Sequence, residues 1–482
     1  MPLQPTMTIG GKPATSEDWI EVRNPADLGT VVGRYPNGTA THAAAAVQAA
    51  AEAFPAWRMV PPAERGALLL EAAKVAGERS NELAPVLTSE NGKTITESYI
   101  DFAIAAMTLS YYPSHPEWLE PTVLDNESRR MRVERQPIGV VAAIIPWNFP
   151  VGLACGKIGP ALMAGNTMVL KVPEFAPLAT LEALGAIAAV FPPGVLNVVS
   201  GVGPEVGSAL VKDRRVRKVA FVGSTETGRA VMADAATHLA SVFLELGGND
   251  AALVLDDAEL DDRAIGRIAS GAFAATGQVC FAIKRLYVHE ARYDELVEKL
   301  QAEVDKFVVG DGLRPEVTMG PLNNERQFKK VTALVAETKE SGLSAVQLGS
   351  YAEGTDPANG YFMLPHLVLN PPDEAAVVSC EQMGPILPVM KFSSVDEAIG
   401  RANNSEYGLA SSVWSRDIDR AFAVGSRLES GCTWVNSHNF ASIDTEGPFG
   451  GYKQSGVGQE GGEYGLLQYT QYKTITDNCI EM

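Results

Sequence analysis

The chain has 482 residues, with 39 lysines and arginines against 58 aspartates and glutamates and a formal net charge of −19. Hydrophobic residues make up 46 % and charged residues 20 %, ordinary globular usage that excludes disordered, collagen-like and coiled-coil chains. So acidic a field repels a phosphate backbone, and nucleic acid is not an expected partner.

The length predicts two large domains or about three of ~150 residues. The opening "MPLQPTMTIGGKP" has no basic stretch followed by an apolar run, so no signal peptide is expected. The longest apolar runs, such as "GVVAAIIPW" (139–147), fall short of the ~20 residues that span a bilayer, so no membrane partner is expected. Five cysteines, at 155, 280, 380, 432 and 479, form no Cys-x-x-Cys pair. This points to a reducing compartment, the cytoplasm.

Along the chain, Thr41 is the expected N-cap of an alanine-rich helix, "THAAAAVQAAAEAFPAW", and 62–87 repeats apolar residues at helical spacing. From about 138, short β-branched runs (138–146, 166–172, 194–201, 216–224) alternate with helix-like stretches. That alternation reads as βαβ units and a parallel sheet, whose ligands bind at the carboxyl ends of the strands. It resumes with strands at 250–257, 284–290, 386–392 and 431–436. An amphipathic helix at 293–307 carries Tyr293, Leu296, Leu300, Val304 and Phe307 on one face. The break at Gly247-Gly248 is the expected hinge between two α/β units.

Five stretches are candidates for chemistry. In "FVGSTETGR" a strand gives way to Gly223-Ser224 and a helix start, where backbone N–H groups suit a pyrophosphate; a plain strand–helix turn is the alternative. "GVGPEVG" (201–207) is a weaker glycine set, because Pro204 equally suits the first position of a helix. In "IIPWNFP" two prolines flank Asn148 and would fix its backbone. In "LELGGND" the apolar setting of Glu245 should raise its pKa, as a general base requires. Cys280 lies 35 positions later in "GAFAATGQVCFAIKR". By itself it reads either as a small buried thiol or as a nucleophile. Together with a carboxylate, an amide donor and a phosphate-binding turn, it points to redox chemistry through a covalent thioester.

"PWNFP", "LKVPE", "FVGSTETGR", "LELGGND", "GQVC", "EQMGPILPV" and "PFGGYKQSG" occur in the order and spacing of the aldehyde dehydrogenase superfamily, which the chain resembles from about residue 20 to 475. The base motif resembles a bacterial subgroup reading Glu-Leu-Gly-Gly-Asn-Asp. The resemblance implies an α/β fold of two Rossmann-like domains with parallel sheets: an NAD-binding domain (1–118 and 140–246) and a catalytic domain (247–463). A β-hairpin with a C-terminal strand (119–139 and 464–482) would join subunits into a homodimer or homotetramer.

The same resemblance implies that Cys280 attacks an aldehyde, that Asn148 and the Cys280 N–H hold the oxyanion, and that Glu245 activates the hydrolytic water. Lys171 and Glu174 would hold the adenosine ribose of NAD, with Glu174 disfavouring the 2′-phosphate of NADP. Gly223, Ser224, Trp147, Glu381 and Met383 would line the rest of the cofactor cleft. Phe149, Phe281, Phe440 and Ile443 would line a pocket for an apolar aliphatic or aromatic aldehyde, with Met107 nearby. His438 is either a further pocket residue or a surface loop histidine. No metal is expected. Cys155, Cys380 and Cys432 are expected as small buried thiols, and Lys284 and Arg285 as structural. The chain departs from its relatives at Ala275, where most carry Asn, and at Met383, where a Phe is usual. The competing reading is a cofactor-independent thiol esterase using Cys280 and Glu245; a silent cofactor-binding protein is a third.

Overall fold

The computed structural model describes residues 3–126 and 129–478; Cys479 and the end of the expected 464–482 segment lie outside the described residues. Three sheets organise the chain. The first has eight strands, in the order Lys12–Ala14, Met7–Ile9, Leu196–Val199, Thr167–Lys171, Val140–Ile144, Val216–Val222, Ser241–Glu245 and Gly456–Val457. Its five central strands run parallel, and both edges are closed by antiparallel pairings. The second has seven strands, in the order Ser344–Gln347, His366–Leu369, Ile386–Phe392, Ile283–His289, Asp250–Val254, Ala410–Trp414 and Cys432–Val435. All but the first run parallel.

The apolar runs are continuous because each parallel strand is buried on both faces. Val141, Ala143, Met168 and Leu170 pack under the helices Pro62–Asn91, Ile95–Tyr111, Pro150–Met163 and Leu178–Ala188. Their neighbours Val140, Ala142 and Val169 face the helices Ala40–Trp57 and Thr225–Ala236. The second sheet divides in the same way, with Ala251 and Leu253 on one side and Ala252 and Val254 on the other.

The third sheet pairs Thr470–Asn478 with Arg129–Pro137, and that strand with Thr122–Asn126, all antiparallel. No helix among the described residues is long and apolar enough to cross a membrane.

Three expectations need correction. The first helix starts at Ala40, and its N-cap is Thr39, not Thr41. Thr39 is extended (φ −119°, ψ 173°) and exchanges capping hydrogen bonds with His42. The helix Glu290–Val304 buries Tyr293, Leu296, Leu300 and Val304, but Phe307 lies beyond its end. Of the three cysteines expected to be buried, Cys155 is buried, Cys432 is half-buried and Cys380 is exposed. Cys380 follows the one-turn helix Ala376–Ser379 on the extended stretch leading to Glu381.

One close approach fixes the frame of the site. Helix Pro62–Asn91 ends at Gly92 in the left-handed region (φ 96°), and a Cβ on Gly320 would lie 1.8 Å from the Gly92 carbonyl oxygen. Gly320→Ala should therefore push the 92–93 turn away and destabilise the fold by about 2 kcal/mol or more. A fall in Tm at fixed scan rate checks this; an unchanged Tm would show that the turn yields freely.

Candidate active site

The loops that leave the carboxyl ends of the first sheet meet the loop before Ile283–His289. Past the strand Val140–Ile144, Phe149 N-caps the helix Pro150–Met163, with Pro150 at its first position. This sharp entry leaves Asn148 buried. Its Nδ2 donates to the Gln278 carbonyl at 3.1 Å, and its Oδ1 accepts from the Phe149 N–H at 3.1 Å. An amide nitrogen carries two hydrogens. Among the described residues the second has no acceptor, so it is available to an incoming oxygen.

Asn148 is itself held from behind. Lys93 Nζ donates to the Asn148 carbonyl oxygen and to Asp101 Oδ2, each at 2.9 Å, with both charged side chains fully buried. Asn91 Nδ2 likewise donates to the Trp147 carbonyl oxygen at 2.7 Å.

Cys280 follows a turn in which Ala275 (φ 49°), Thr276 (φ 60°) and Gly277 (φ 71°) are all left-handed. Each non-glycine residue costs about 1–2 kcal/mol there, and Asn tolerates the region better than Ala. The chain thus carries its departure, Ala275, where the backbone disfavours it. At Gly277 a Cβ would come within 2.4 Å of the Gly384 carbonyl oxygen, so the turn requires glycine. Lys284, buried inside the following strand, donates to the carbonyl oxygens of Val279 (2.9 Å) and Cys280 (2.5 Å) and pins the loop from the other side. Arg285 binds the backbone of Asn249, Arg401 and Ala402.

Burial pushes the Cys280 thiol up to about 12. The Glu245 carboxylate adds to this, and Lys284 partly opposes it. The resting thiol is therefore neutral and needs a base before it can attack.

Glu245 ends the strand Ser241–Glu245. Burial raises its pKa to about 8; the nearby Glu460 adds to this, and Lys157 opposes it. Lys157 is buried in the helix Pro150–Met163, in contact with the Glu460 carboxylate and 3.8 Å from Glu245 Oε2. Burial pulls the Lys157 ammonium down, but the two carboxylates outweigh it and hold it charged.

Cys280 and Glu245 both line one cavity of about 360 Å³. Its walls include Phe149, Phe281, Phe440, Ile443, Leu153 and Met107. The rings of Phe149 and Phe440 lie 4.4 Å apart, and those of Phe281 and Phe440 pack edge to face at 5.0 Å. Its carboxylates are Glu245, Asp444 and Glu460, and among the described residues no lysine, arginine or histidine lines it.

His438 is not part of this lining, which corrects its expected pocket role. It is fully buried behind the wall, with Nδ1 2.9 Å from Ser412 Oγ and Nε2 2.7 Å from the Phe281 carbonyl oxygen. Burial depresses its pKa to about 3, so it is neutral. Its work is to support Phe281.

The residues expected to hold a dinucleotide lie at the neighbouring strand ends. Glu174 Oε1 is 3.6 Å from Lys171 Nζ and accepts from the Gly203 N–H at 2.6 Å. Ser224 caps the helix Thr225–Ala236 by accepting from the Thr227 N–H at 3.2 Å, leaving the first N–H groups of that helix for an anion. At Gly223 a Cβ would press to 2.5 Å from the Phe221 ring. Between the two large sheets, Glu381 accepts from the Gly248 N–H at 3.1 Å, and a Cβ on Gly247 would fall 2.7 Å from its Oε2. Half-buried Met383 follows it, its carbonyl oxygen accepting from Gln327 Nε2 at 2.9 Å. Carboxylates for ribose hydroxyls, a helix start for phosphate and a glycine cradle together fit a nicotinamide dinucleotide.

Comparison with known proteins agrees with this geometry. The aldehyde dehydrogenase family model matches residues 12–475. The succinate-semialdehyde dehydrogenase [NADP(+)] GabD of Escherichia coli is 39 % identical, over 97 % of this chain and 95 % of its own. A phenylacetaldehyde dehydrogenase of Pseudomonas fluorescens is 38 % identical over the same shares of each chain. The structure of an aldehyde dehydrogenase from Bacillus cereus in complex with NAD+ superposes with a TM-score of 0.93. It is 34 % identical and covers 98 % of this chain and 97 % of that one. The chain belongs to the aldehyde dehydrogenase family, enzymes that oxidise aldehydes with NAD or NADP. Nothing in these likenesses favours a cofactor-free thiol hydrolase.

Sequence reasoning missed Lys157, Glu460, Lys93, Asp101 and Glu97. The one signal was a lysine inside the apolar run "CGKIGPALM"; a charge there needs a partner, but the partner lies 303 positions away.

The pKa of Glu245 has a sign that can be tested. It stands at about 8 in the fold against 4.5 ordinarily, so the native state holds the proton more tightly than the unfolded chain. Its stabilising contribution is present below the unfolded value and is lost as pH rises toward the folded one. Glu245→Gln should therefore gain Tm relative to the wild type between about pH 5 and about pH 8. A pH-independent difference would mean that burial does not shift this carboxyl.

Proposed function

We propose that Cys280, Asn148 and Glu245 carry the reaction, with Cys280 as the nucleophile. The observation that supports this is their convergence: thiol and carboxyl line one apolar cavity, and the Asn148 amide donates to the carbonyl two residues before the thiol. The Cys280 thiol gives up its proton to solvent, and the sulfur attacks the aldehyde carbon. The developing oxyanion receives the free N–H of Asn148 and the Cys280 backbone N–H, and one such donor is typically worth ~3 kcal/mol of barrier. A bound nicotinamide supplies the hydride acceptor. Lys171, Glu174, Gly223, Ser224, Trp147, Glu381 and Met383 hold and orient it. Cys280 is left acylated, and Glu245 draws a proton from the water that releases the carboxylic acid. Lys157 and Glu460 lie behind Glu245 to hold charge and proton.

NAD is the preferred cofactor, because the Glu174 carboxylate would repel a 2′-phosphate; NADP is the alternative. The substrate is an uncharged apolar or aromatic aldehyde. The cavity walls are aromatic and aliphatic, and no lysine, arginine or histidine among the described residues lines it to pair with an anion. The chain works in the cytoplasm. It comprises an NAD-binding domain (1–118 and 140–246), a catalytic domain (247–463) and an oligomerisation element (119–139 and 464–482). The three-stranded sheet has open edges and exposes Val123, Tyr472 and Ile475, which supports pairing into a homodimer or homotetramer.

Cys280→Ser should abolish aldehyde oxidation. Glu245→Gln should release up to about one NADH per site in a burst and then turn over slowly, since deacylation needs the base. Full steady turnover of Glu245→Gln, followed at 340 nm, would assign the base elsewhere. Across an aldehyde panel, kcat/KM for phenylacetaldehyde should exceed that for succinic semialdehyde by about tenfold or more. The reverse order would reject the uncharged-substrate reading.

A further inference from the structure

We propose that Glu97 is a positioning residue for the reaction: its carboxylate holds the left-handed turn that aims Cys280 and Asn148 at the same point. This rests on the reading of Cys280 as the nucleophile and Asn148 as the oxyanion donor.

Glu97 is half-buried in the first turn of the helix Ile95–Tyr111 and outside the cavity lining. One carboxylate oxygen, Oε2, accepts from the Thr94 N–H (2.8 Å) and the Thr94 hydroxyl (2.9 Å), a capping box that fixes the side chain. The other, Oε1, crosses to the nucleophile loop and accepts from the Ala275 N–H at 2.6 Å. Ala275 opens the run of three left-handed residues, two of them not glycine, that ends three positions before Cys280. Such a run persists where its surroundings over-determine it.

The remaining restraints act on the same few atoms. The Ala275 carbonyl oxygen accepts from Gln278 N and Nε2, each at 3.0 Å, and Gln278 Oε1 accepts from Asn323 N at 2.9 Å. The Gln278 carbonyl oxygen then receives Asn148 Nδ2. Glu97 thus anchors the first residue of the turn, and the Asn148 amide binds the carbonyl of Gln278, the residue just after it.

The anchor belongs to a larger arrangement. Asn91, Lys93 and Glu97 lie within seven residues of one another. The first two grip the backbone of Trp147 and Asn148, and the third grips Ala275. One short link between two helices therefore sets both the donor of the oxyanion site and the loop of the nucleophile. Loss of the Glu97 acceptor frees Ala275 to leave the left-handed region, which moves the Cys280 N–H relative to Asn148. Neither the cavity wall nor the dinucleotide site is touched, so the defect falls on kcat.

The test compares Glu97→Ala in the wild type and in an Ala275→Gly background, because glycine adopts the left-handed conformation without help. In the wild type, Glu97→Ala should lower kcat by about tenfold or more at saturating NAD and phenylacetaldehyde, with KM changed by less than about threefold. In the Ala275→Gly background the same substitution should cost less than about threefold. Glu97→Gln, which keeps one acceptor oxygen, should give a smaller loss with the same dependence on background, and it carries the comparison if Glu97→Ala does not fold.

Equal losses in the two backgrounds would overturn the inference, since damage to the helix start alone is not repaired by glycine at 275. So would a wild-type kcat with a lowered Tm. Cys280→Ser is assayed alongside. If it still oxidises aldehyde, the reading of the nucleophile fails; if it is inactive while Glu97→Ala keeps full kcat, the Glu97 inference alone fails.

Discussion

The arrangement of the site depends on a buried ion pair that never touches substrate. Lys93 and Asp101 face each other at 2.9 Å with no exposure of either side chain. The Lys93 ammonium also lies 4.1 Å from the centre of the Phe149 ring. Burying two charges is tolerable only when their remaining hydrogen-bonding capacity is met. Here Lys93 spends a second N–H on the Asn148 carbonyl oxygen, and Asp101 Oδ1 accepts from the Gly152 N–H at 2.6 Å. One pair thus fixes the Asn148 loop and the start of the helix that follows it. Removing one partner would strand the other charge, a loss of typically 3–5 kcal/mol, and would release Asn148 as well.

A second buried charge sets the chemistry rather than the geometry. Lys157 is the buried cation between two carboxylates, Glu245 and Glu460, that line the cavity. Without it two buried carboxylates would repel each other. With it, the rise in the Glu245 pKa caused by burial and by Glu460 is partly offset. The same lining bears on the proposed selectivity. Among the described residues no lysine, arginine or histidine lines the cavity to pair with a carboxylate-bearing aldehyde, although a succinate-semialdehyde dehydrogenase is among the chain's relatives. Fold and family are shared across such enzymes, and the walls of the cavity separate their substrates.

The two large sheets meet at Gly247-Gly248 and Glu381. The first sheet presents Lys171, Gly223 and Glu245 at its strand ends. The loop of Cys280 comes from the second. The edge strand Gly456–Val457, which follows the last strand of the second sheet, returns to pair with Ser241–Glu245. That return also brings Glu460 to Lys157.

Much was legible from sequence. The parallel strands are apolar throughout because both faces are buried, so their positions follow from local composition. The motifs around Asn148, Glu245 and Cys280 are local strings whose backbone conformation is set by the prolines and glycines within them, and the likeness to a family named their roles. Thr39 displaced Thr41 as N-cap, and Phe307 fell outside its helix, because helix ends depend on capping geometry that periodicity does not carry. What only the tertiary structure decided is which polar side chains meet. Lys93 with Asn148, Glu97 with Ala275, Lys157 with Glu460 and His438 with Phe281 are contacts between distant segments. A buried charge announces that it needs a partner, but chain folding chooses the partner. For that reason the residues proposed to react stand in motifs legible in the sequence, and the side chains that contact them from distant segments do not.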